Sequence, residues 1–337
     1  MTAYPRTRGD ESTQRAGRTP VTAEPTAGPA VPEADEDLAD LLLDLTVPHE
    51  DIGGILALRR RVAADPALRA TADDALAHLV AGMGAGGSGR TEGERPKLPG
   101  LPEDIGVAEP YLPVYVYVAA LPVVRAHHRE RGVPDEIGRR TLADLGRQLA
   151  VHRRRYGTGG LTSPGWPALH FRGELYQLGR LQFERAGLGA RTAAAVSAAG
   201  AAASAGDPCL SLHIPDFLGP LAPGAVDASL ARAKAFFSRH FPEDRATAAT
   251  CHSWLLDPQL AGYLPPESNI MRFQSRFRPA RPGEAPETDD RDPVGFVFGD
   301  PRLDHDRLPR RTTLERAIGD HLRAGRHWHA GHGWLAL

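Results

Sequence analysis

Two short apolar runs, Cys209-Leu-Ser-Leu-His-Ile-Pro215 and Thr250-Cys-His-Ser-Trp-Leu-Leu256, flank an amphipathic stretch from about Asp227 to Phe241. Together they constrain the fold more than any other feature of the chain. Each run reads as a strand, and each places a histidine where it gives way to a turn. Between the first run and the amphipathic stretch lies Gly219-Pro-Leu-Ala-Pro-Gly224, which opens the helix. Strand, Gly/Pro loop, helix and strand make a βαβ unit. A helix N-terminus behind such a loop presents free N–H groups and positive dipole to an anion, so the arrangement suits a phosphate-bearing ligand.

A chain of 337 residues with 41% apolar side chains is long enough for two domains and can fill their cores. The net charge of -2 gives no general pull toward nucleic acid or anionic lipid. Lys97 and Lys234 are the only lysines, so nearly all basic charge is arginine; with the Ala, Gly and Pro excess this reflects a GC-rich bacterial genome more than a binding adaptation. Two cysteines, Cys209 and Cys251, do not make a disulfide framework, and no signal segment opens the chain. No apolar run reaches the roughly 20 residues that span a bilayer. These features predict a reduced cytoplasmic protein.

Residues 1–36, rich in Thr, Pro, Gly and charge, lack the apolar side chains that offset ordering entropy and are expected to be a disordered tail. From residue 37 to about 160 the apolar spacing is helical: Leu38, Leu41, Leu42 and Leu45, then Ile55, Leu58 and Val62, a further helix over 72–83, and a segment in which Asp135 caps Ile137, Leu142, Leu145 and Leu149. A Gly-rich linker interrupts this half at 84–100. Residues 161–337 change character. The run 170–183 alternates as one long strand or two short ones, and 208–215, 247–256, 294–298 and 327–337 follow as strands with helices at 227–241, 268–277 and 312–324. The Ala/Gly stretch 186–206 is either a mobile loop or a weak helix of 191–203, and the loop is expected, since helix propensity alone does not hold a short segment; 278–293 is a polar, Pro-rich excursion. The fold class is α/β (α+β), a helical N-terminal domain followed by a mixed sheet flanked by helices.

Several motifs compete for chemistry. Gly82-Met-Gly-Ala-Gly-Gly87 matches G-x-G-x-x-G but follows a helix and precedes none, so it reads as linker. Glu184-Arg-Ala-Gly-Leu-Gly189 follows a strand, yet Glu184 sets negative charge where a phosphate would sit, and the loop at 219–224 is the better anion site. His213 lies at the C-terminal end of its strand, the edge where α/β sheets place ligands, and its ordinary pKa near 6.5 suits a base; capping a strand end is the competing role. His252 and Ser253 diverge on their strand, so at most one of them faces a given cleft. Cys251 cannot pair with its neighbour His252 as a nucleophile and reads as a structural core cysteine. Period two puts Arg172, Glu174, Tyr176, Leu178 and Arg180 on one face, which lines a cleft or covers an edge. In His327-Trp-His-Ala-Gly-His332 the histidines divide between two faces with no completing carboxylate or cysteine, so no metal is expected. His127 and His128 read as a solvated helix face.

Leu210-Ser-Leu-His-Ile-Pro215, Gly219-Pro-Leu221, Ala235-Phe-Phe-Ser-Arg-His-Phe-Pro242, Cys251-His-Ser-Trp-Leu-Leu-Asp-Pro258 and Leu264-Pro-Pro-Glu-Ser-Asn-Ile270 resemble the C-terminal half of bacterial GNAT-like acyltransferases. Upstream, Tyr111-Leu-Pro-Val-Tyr-Val-Tyr-Val-Ala119 and Phe171-Arg-Gly-Glu-Leu-Tyr-Gln-Leu-Gly-Arg-Leu-Gln-Phe183 resemble the N-acyltransferase N-terminal domain and its junction, and the likeness runs from about Leu38 to Leu337. The resemblance implies a GNAT-type sheet with splayed strands and an acyl-CoA-dependent N-acyltransferase that passes its acyl group directly to an amine. It implies acyl-CoA contacts at Ile214, Gly219, Leu221, Gly224 and Ala225, a sheet N–H on the thioester oxygen, His213 as the first candidate base and Glu174 as the second. His252 belongs with them as a candidate, and Ser253 or Tyr263 would protonate the leaving thiolate. Because the usual pyrophosphate motif is absent, the alternative is a degenerate GNAT fold that binds acyl-CoA or a protein without catalysis. Neither acceptor nor acyl length follows from the sequence; nucleic-acid and membrane partners are not expected.

Overall fold

The computed structural model describes residues 30–84, 90–94, 97–102, 108–280 and 287–337. Residues 1–29 of the expected tail, 85–89 and 95–96 of the Gly-rich linker and 281–286 of the Pro-rich excursion lie outside them. The helical half begins with α1 (Asp35–Asp44), α2 (His49–Ala64) and α3 (Pro66–Ala81). Helix α3 starts earlier than its apolar spacing suggests because the Asp65 carboxylate accepts the Ala67 and Leu68 N–H groups at 2.9 and 3.2 Å, with Pro66 filling a position that needs no donor. The longest helix, α4 (Leu112–Glu130), runs through the middle, and Leu42, Ile55, Leu79 and Leu121 bury against one another around it. Each such leucine contributes roughly 1.5–3 kcal/mol by leaving water. Next come α5 (Asp135–Leu142), which starts at Asp135 instead of being capped by it, α6 (Asp144–Tyr156), stopped by Gly157 at φ 73°, and α7 (Trp166–Phe171). His128 is buried against the Tyr176 ring, 5.6 Å between centroids, so the helix face read as solvated is half core.

The second half is a mixed sheet of β1 (Leu175–Leu178), β2 (Leu181–Gly187), β3 (Pro208–His213), β4 (Ala248–Ser253), β5 (Arg278–Pro279), β6 (Glu287–Thr288) and β7 (His329–Ala336). Its order is β1-β2-β3-β4-β7-β5, with β6 also on β7, and every pairing is antiparallel except β3 with β4. Pleating sorts the side chains. Tyr176, Phe183, Leu210, Leu212, Ala249 and Cys251 lie on one face and pack on Phe236 and Phe237 of α9 (Pro223–His240). The registers put Gln182 opposite His213, Glu184 opposite Ser211 and His252 opposite His332, all on the other face. That polar face is covered by α6 and α7 and, toward β7, by α8 (Ala190–Ala198).

Three expectations are overturned here. The stretch 186–206 contains α8, because Ala193 packs on Ala186, Leu188 and Cys209 while Val196 packs on Ala248 and Trp334; tertiary burial supplies what propensity lacks. Residues expected as a strand at 294–298 belong to α11 (Arg291–Phe298), ended by Gly299 at φ 92°. The polar face imagined from Arg172 to Arg180 is not one strand face: Arg172 and Glu174 precede β1, Arg180 sits beyond it, and Tyr176 points into the core. The remaining helices are α10 (Asn269–Gln274) and α12 (Thr313–Arg323), the latter opened by a Thr312/Glu315 capping box. Among the described residues no helix is long and apolar enough to cross a membrane.

Candidate active site

Strands β3 and β4 share only two rungs, Leu210↔Ala249 and Ser211↔Thr250, and then part. A cleft of about 320 Å³ opens where they separate. Leu212 to Pro215 form one wall and Cys251 to Leu255 the other; Gln148, Arg155 and Trp166 of the helical half roof it, and Phe296 of α11 closes an end. The cleft is therefore a joint product of both halves, a common place for a ligand.

His213 stands at its mouth, on the polar face. Its Nε2 lies 2.7 Å from Glu184 Oε2, and the Trp166 indole meets its ring edge-on at 4.9 Å between centroids. Glu184 is held from behind by Arg90. Burial opposes ionisation of Glu184, but the hydrogen bond and charge of His213 together with Arg90 outweigh it, and the carboxyl is held below the usual range. Trp166 is positioned in turn: its indole N–H donates to Asp144 Oδ2 at 3.0 Å. Asp144 also accepts from Gln148 and Gln182, both at 3.0 Å, and lies 3.4 Å from His170. Buried Asp144 would resist charge, yet His170, Arg147 and the two amides keep its carboxyl below the ordinary value. His213 is thus held directly by Glu184 and, through the Trp166 ring, indirectly by Asp144, two buried carboxyls kept below their ordinary range.

Glu174 does not line the cleft. It is buried beyond Glu184, 3.8 Å from Arg90 and from Arg172, and burial pushes its carboxyl upward against the pull of both arginines. His252 does line the cleft, on the same face as His213, while Ser253 reaches it from the opposite face. The Ser253 hydroxyl accepts the Leu255 N–H at 3.1 Å and caps the turn that follows β4. Tyr263 lies elsewhere: its hydroxyl meets His321 Nδ1 at 2.9 Å and Arg326, and its ring packs on Trp328. Cys251 is buried, and burial pushes its thiol up to about 12, which suits core packing and not a nucleophile. The three C-terminal histidines go to three carboxylates, His327 to Asp290 at 2.6 Å, His329 to Asp257 at 3.5 Å and His332 to Glu92 at 3.4 Å; among the described residues no cluster has the makeup of a metal site.

Both candidate anion loops are now placed. Glu184–Gly189 leads into α8 as a phosphate loop would, but the Glu92 carboxylate already accepts the Gly189 N–H at 3.2 Å at that helix start. The protein's own anion occupies the position. At 219–224 the geometry is open: α9 has no side-chain cap at Ala222, and a Cβ added to Gly224 would meet nothing within 4 Å. Ile214 lines the cleft itself, Gly219 turns at φ 76°, and Leu221 turns its side chain into the core, so it offers only backbone. Arginines brace this loop. Arg180 donates to Gly219 O at 2.8 Å and Pro215 O at 3.1 Å, Arg154 pairs with Asp216 at 2.7 Å, and Arg276 pairs with Asp227 in the first turns of α9.

A helical half roofing a splayed sheet, with a histidine–carboxylate pair at the splay and an uncapped helix start beside it, defines an acyltransferase of the GNAT type. The N-acyltransferase N-terminal domain model matches residues 36–173, and the GNAT-like C-terminal domain model matches 175–335. Among solved structures, an acyltransferase in complex with decanoyl-CoA and teicoplanin is 40% identical, with 92% of this chain and 90% of that chain covered and a TM-score of 0.76. An acyltransferase mutant bound to octanoyl-CoA is likewise 40% identical over 91% and 90% of the two chains, TM-score 0.78, and one bound to decanoyl-CoA is 39% identical over 91% and 89%, TM-score 0.78. Among curated proteins none matches. The chain belongs to this family of GNAT-like N-acyltransferases, and it is an acyltransferase.

Proposed function

We propose that this chain transfers a medium-length acyl group from acyl-CoA directly to an amine of a teicoplanin-type glycopeptide, with His213 as the base. The observation that carries the reading is the His213–Glu184 pair, 2.7 Å apart at the point where β3 and β4 part. Relatives crystallised with octanoyl-CoA, decanoyl-CoA and teicoplanin support the donor and acceptor class. The CoA pyrophosphate takes the loop from Gly219 to the start of α9, where no side chain caps the helix and Gly224 N–H is the first donor, while Ala225 N–H already donates to Ala222 O at 2.9 Å; the pantetheine enters the splay past Ile214. Backbone N–H groups on the parted strand edges take the thioester oxygen as it becomes an oxyanion. The amine, held against the polar face, gives its proton to His213, while Glu184 fixes the ring and stabilises the imidazolium. Glu174, behind Arg90, is too far back to share this work. An acyl-CoA donor and two free buried cysteines support a reducing, cytoplasmic setting.

His213→Ala tests the assignment. With octanoyl-CoA and a teicoplanin-type glycopeptide, kcat is expected to fall by about 10²–10⁴-fold. The melting-temperature rise on adding octanoyl-CoA should persist, since the helix-start contacts are untouched. Undiminished turnover in a folded variant would remove His213 from the mechanism.

A further inference from the structure

We infer that His252, stacked on His332 and backed by the buried Glu92, is the proton donor to the departing CoA thiolate, so that the linker segment carrying Glu92 completes the active site. The inference rests on the acyltransfer reading above. Three separate features of the fold meet at this point.

The first is position. His213 and His252 each lie two residues past the last shared rung, Ser211↔Thr250, and on the same face of the sheet. Both line the cleft, one on each side of the splay. A thioester held in the gap has the amine's base on one wall and His252 on the other.

The second is the stack. The antiparallel register of β4 and β7 sets His252 directly opposite His332, with ring centroids 5.3 Å apart and planes inclined by 16°. The His332 side chain is 5% exposed, whereas His252 is exposed to the cleft.

The third is the linker. Thr91 bridges to Gly187, Glu92 N–H donates to Gly187 O at 3.0 Å, and Gly187 N–H donates to Arg90 O at 2.8 Å, so residues 90–92 dock along the end of β2. This docking sends Arg90 to Glu184 and Glu92 to His332, 3.4 Å away. Burial alone would neutralise Glu92, but the polar neighbours His332, Thr192 and Thr250 hold its carboxyl below the ordinary range. Among the described residues, α8 presents Thr192 to the Glu92 carboxylate and β3 presents the Cys209 thiol, which burial keeps protonated. Across the splay, the His213–Glu184 pair is compensated within itself and by Arg90.

One buried carboxylate therefore sits beneath two stacked imidazoles. The carboxylate favours a proton on the stack, and rings this close oppose a second one. The exposed partner, His252, is the one that can deliver it. In the step itself the amine nitrogen bonds to the carbonyl carbon and its proton passes to His213. The C–S bond breaks, its electron pair stays on sulfur, and sulfur takes the proton of the His252 imidazolium. The products are the amide and the free CoA thiol; His213 then loses its proton to water and the His252–His332 pair regains one.

The test uses the full chain, octanoyl-CoA and a teicoplanin-type glycopeptide. His252→Gln should lower kcat at least tenfold at pH 7 with little change in KM for octanoyl-CoA, and should abolish the alkaline limb of the kcat–pH profile. Glu92→Gln should move that limb to lower pH by a unit or more. His213→Ala affects the acidic limb instead. An unchanged alkaline limb, or an effect confined to KM, would overturn the assignment. Histidine-selective ¹⁵N resonance measurements of the wild-type chain read the stack without turnover. One proton shared by His252 and His332 through the neutral range, lost in Glu92→Gln, supports it; two histidines that each take a full proton independently refute it even if transfer proceeds. Absence of octanoyl transfer by the wild type alongside a shared proton would count against the acyltransfer reading and against the donor role built on it.

Discussion

His128 sits on α4 with its ring against Tyr176, and an added Cβ at Gly138 would approach its Nδ1 to 3.0 Å, so a glycine is what lets α5 come this close. Burial, with a smaller push from His127, lowers its pKa to about 4. Protonation then favours the unfolded chain, where histidine titrates near 6.5. Its contribution to stability is accordingly full above pH 6.5 and is lost as pH falls toward 4. Between pH 7 and pH 5 this single group should cost the fold about 2 kcal/mol, at 1.36 kcal/mol per pH unit below 6.5. Urea unfolding at the two pH values measures it: His128→Gln should show a pH loss smaller by about that amount, and an equal loss in both proteins would mean the buried imidazole is not what titrates. At the same scale, Glu184 shows why side-chain identity alone misleads. In sequence it is a carboxylate at the head of a loop that would hold a phosphate; in the fold the β2–β3 register carries it to His213, and the same charge becomes the partner of the proposed base. Nothing local in the sequence states that two residues 29 positions apart will meet.

Elements were legible where burial and periodicity agreed. The βαβ core of β3, α9 and β4 follows from apolar runs bounded by Pro and Gly, and its splay places His213 as its strand-end position suggested. Helix α11 was not legible and α8 was legible only as the weaker of two readings, because their small or mixed side chains carry weak local preference; for α8 it is neighbours such as Trp334 that decide its state. The two anion loops could not be ranked securely from sequence either, since what separates them is a distant carboxylate, Glu92, lying against one helix start and leaving the other open. That difference makes a prediction. Gly224→Ala should stabilise the chain by about 0.5–1 kcal/mol, as its Cβ meets nothing, and leave donor binding intact. Gly224→Asp should stabilise the helix start by about 0.3–1 kcal/mol through the dipole, yet raise KM for octanoyl-CoA roughly tenfold because a fixed carboxylate takes the pyrophosphate's place. A higher melting temperature with weaker donor binding is the expected signature. Unaltered KM in Gly224→Asp would move the pyrophosphate off α9.

At the scale of the whole molecule, the polar face of the sheet decides how the halves behave. Gln182 bonds to Asp144 of α6, the Gln177 N–H donates to Thr141 of α5 at 3.0 Å, and Trp166 of α7 packs on His213. From the sheet side, Glu184 holds Arg90, and His332 meets Glu92, both carried by the linker within the helical half. Separating the halves would leave several of these buried groups without partners at once, at roughly 1–3 kcal/mol for each neutral group and more for each charge. Neither half retains its native face without the other, so the two family-sized segments should unfold together. Calorimetry of the full chain is expected to show one transition whose calorimetric and van't Hoff enthalpies agree. Arg90→Met, which leaves buried Glu184 with His213 as its remaining partner, should destabilise the chain by about 3 kcal/mol without splitting that single transition. Two resolved transitions in the wild type would mean that the interface is only a docking contact. The cleft between the halves would then have to assemble on binding, and the ordered His213–Glu184 geometry would belong to the closed form alone.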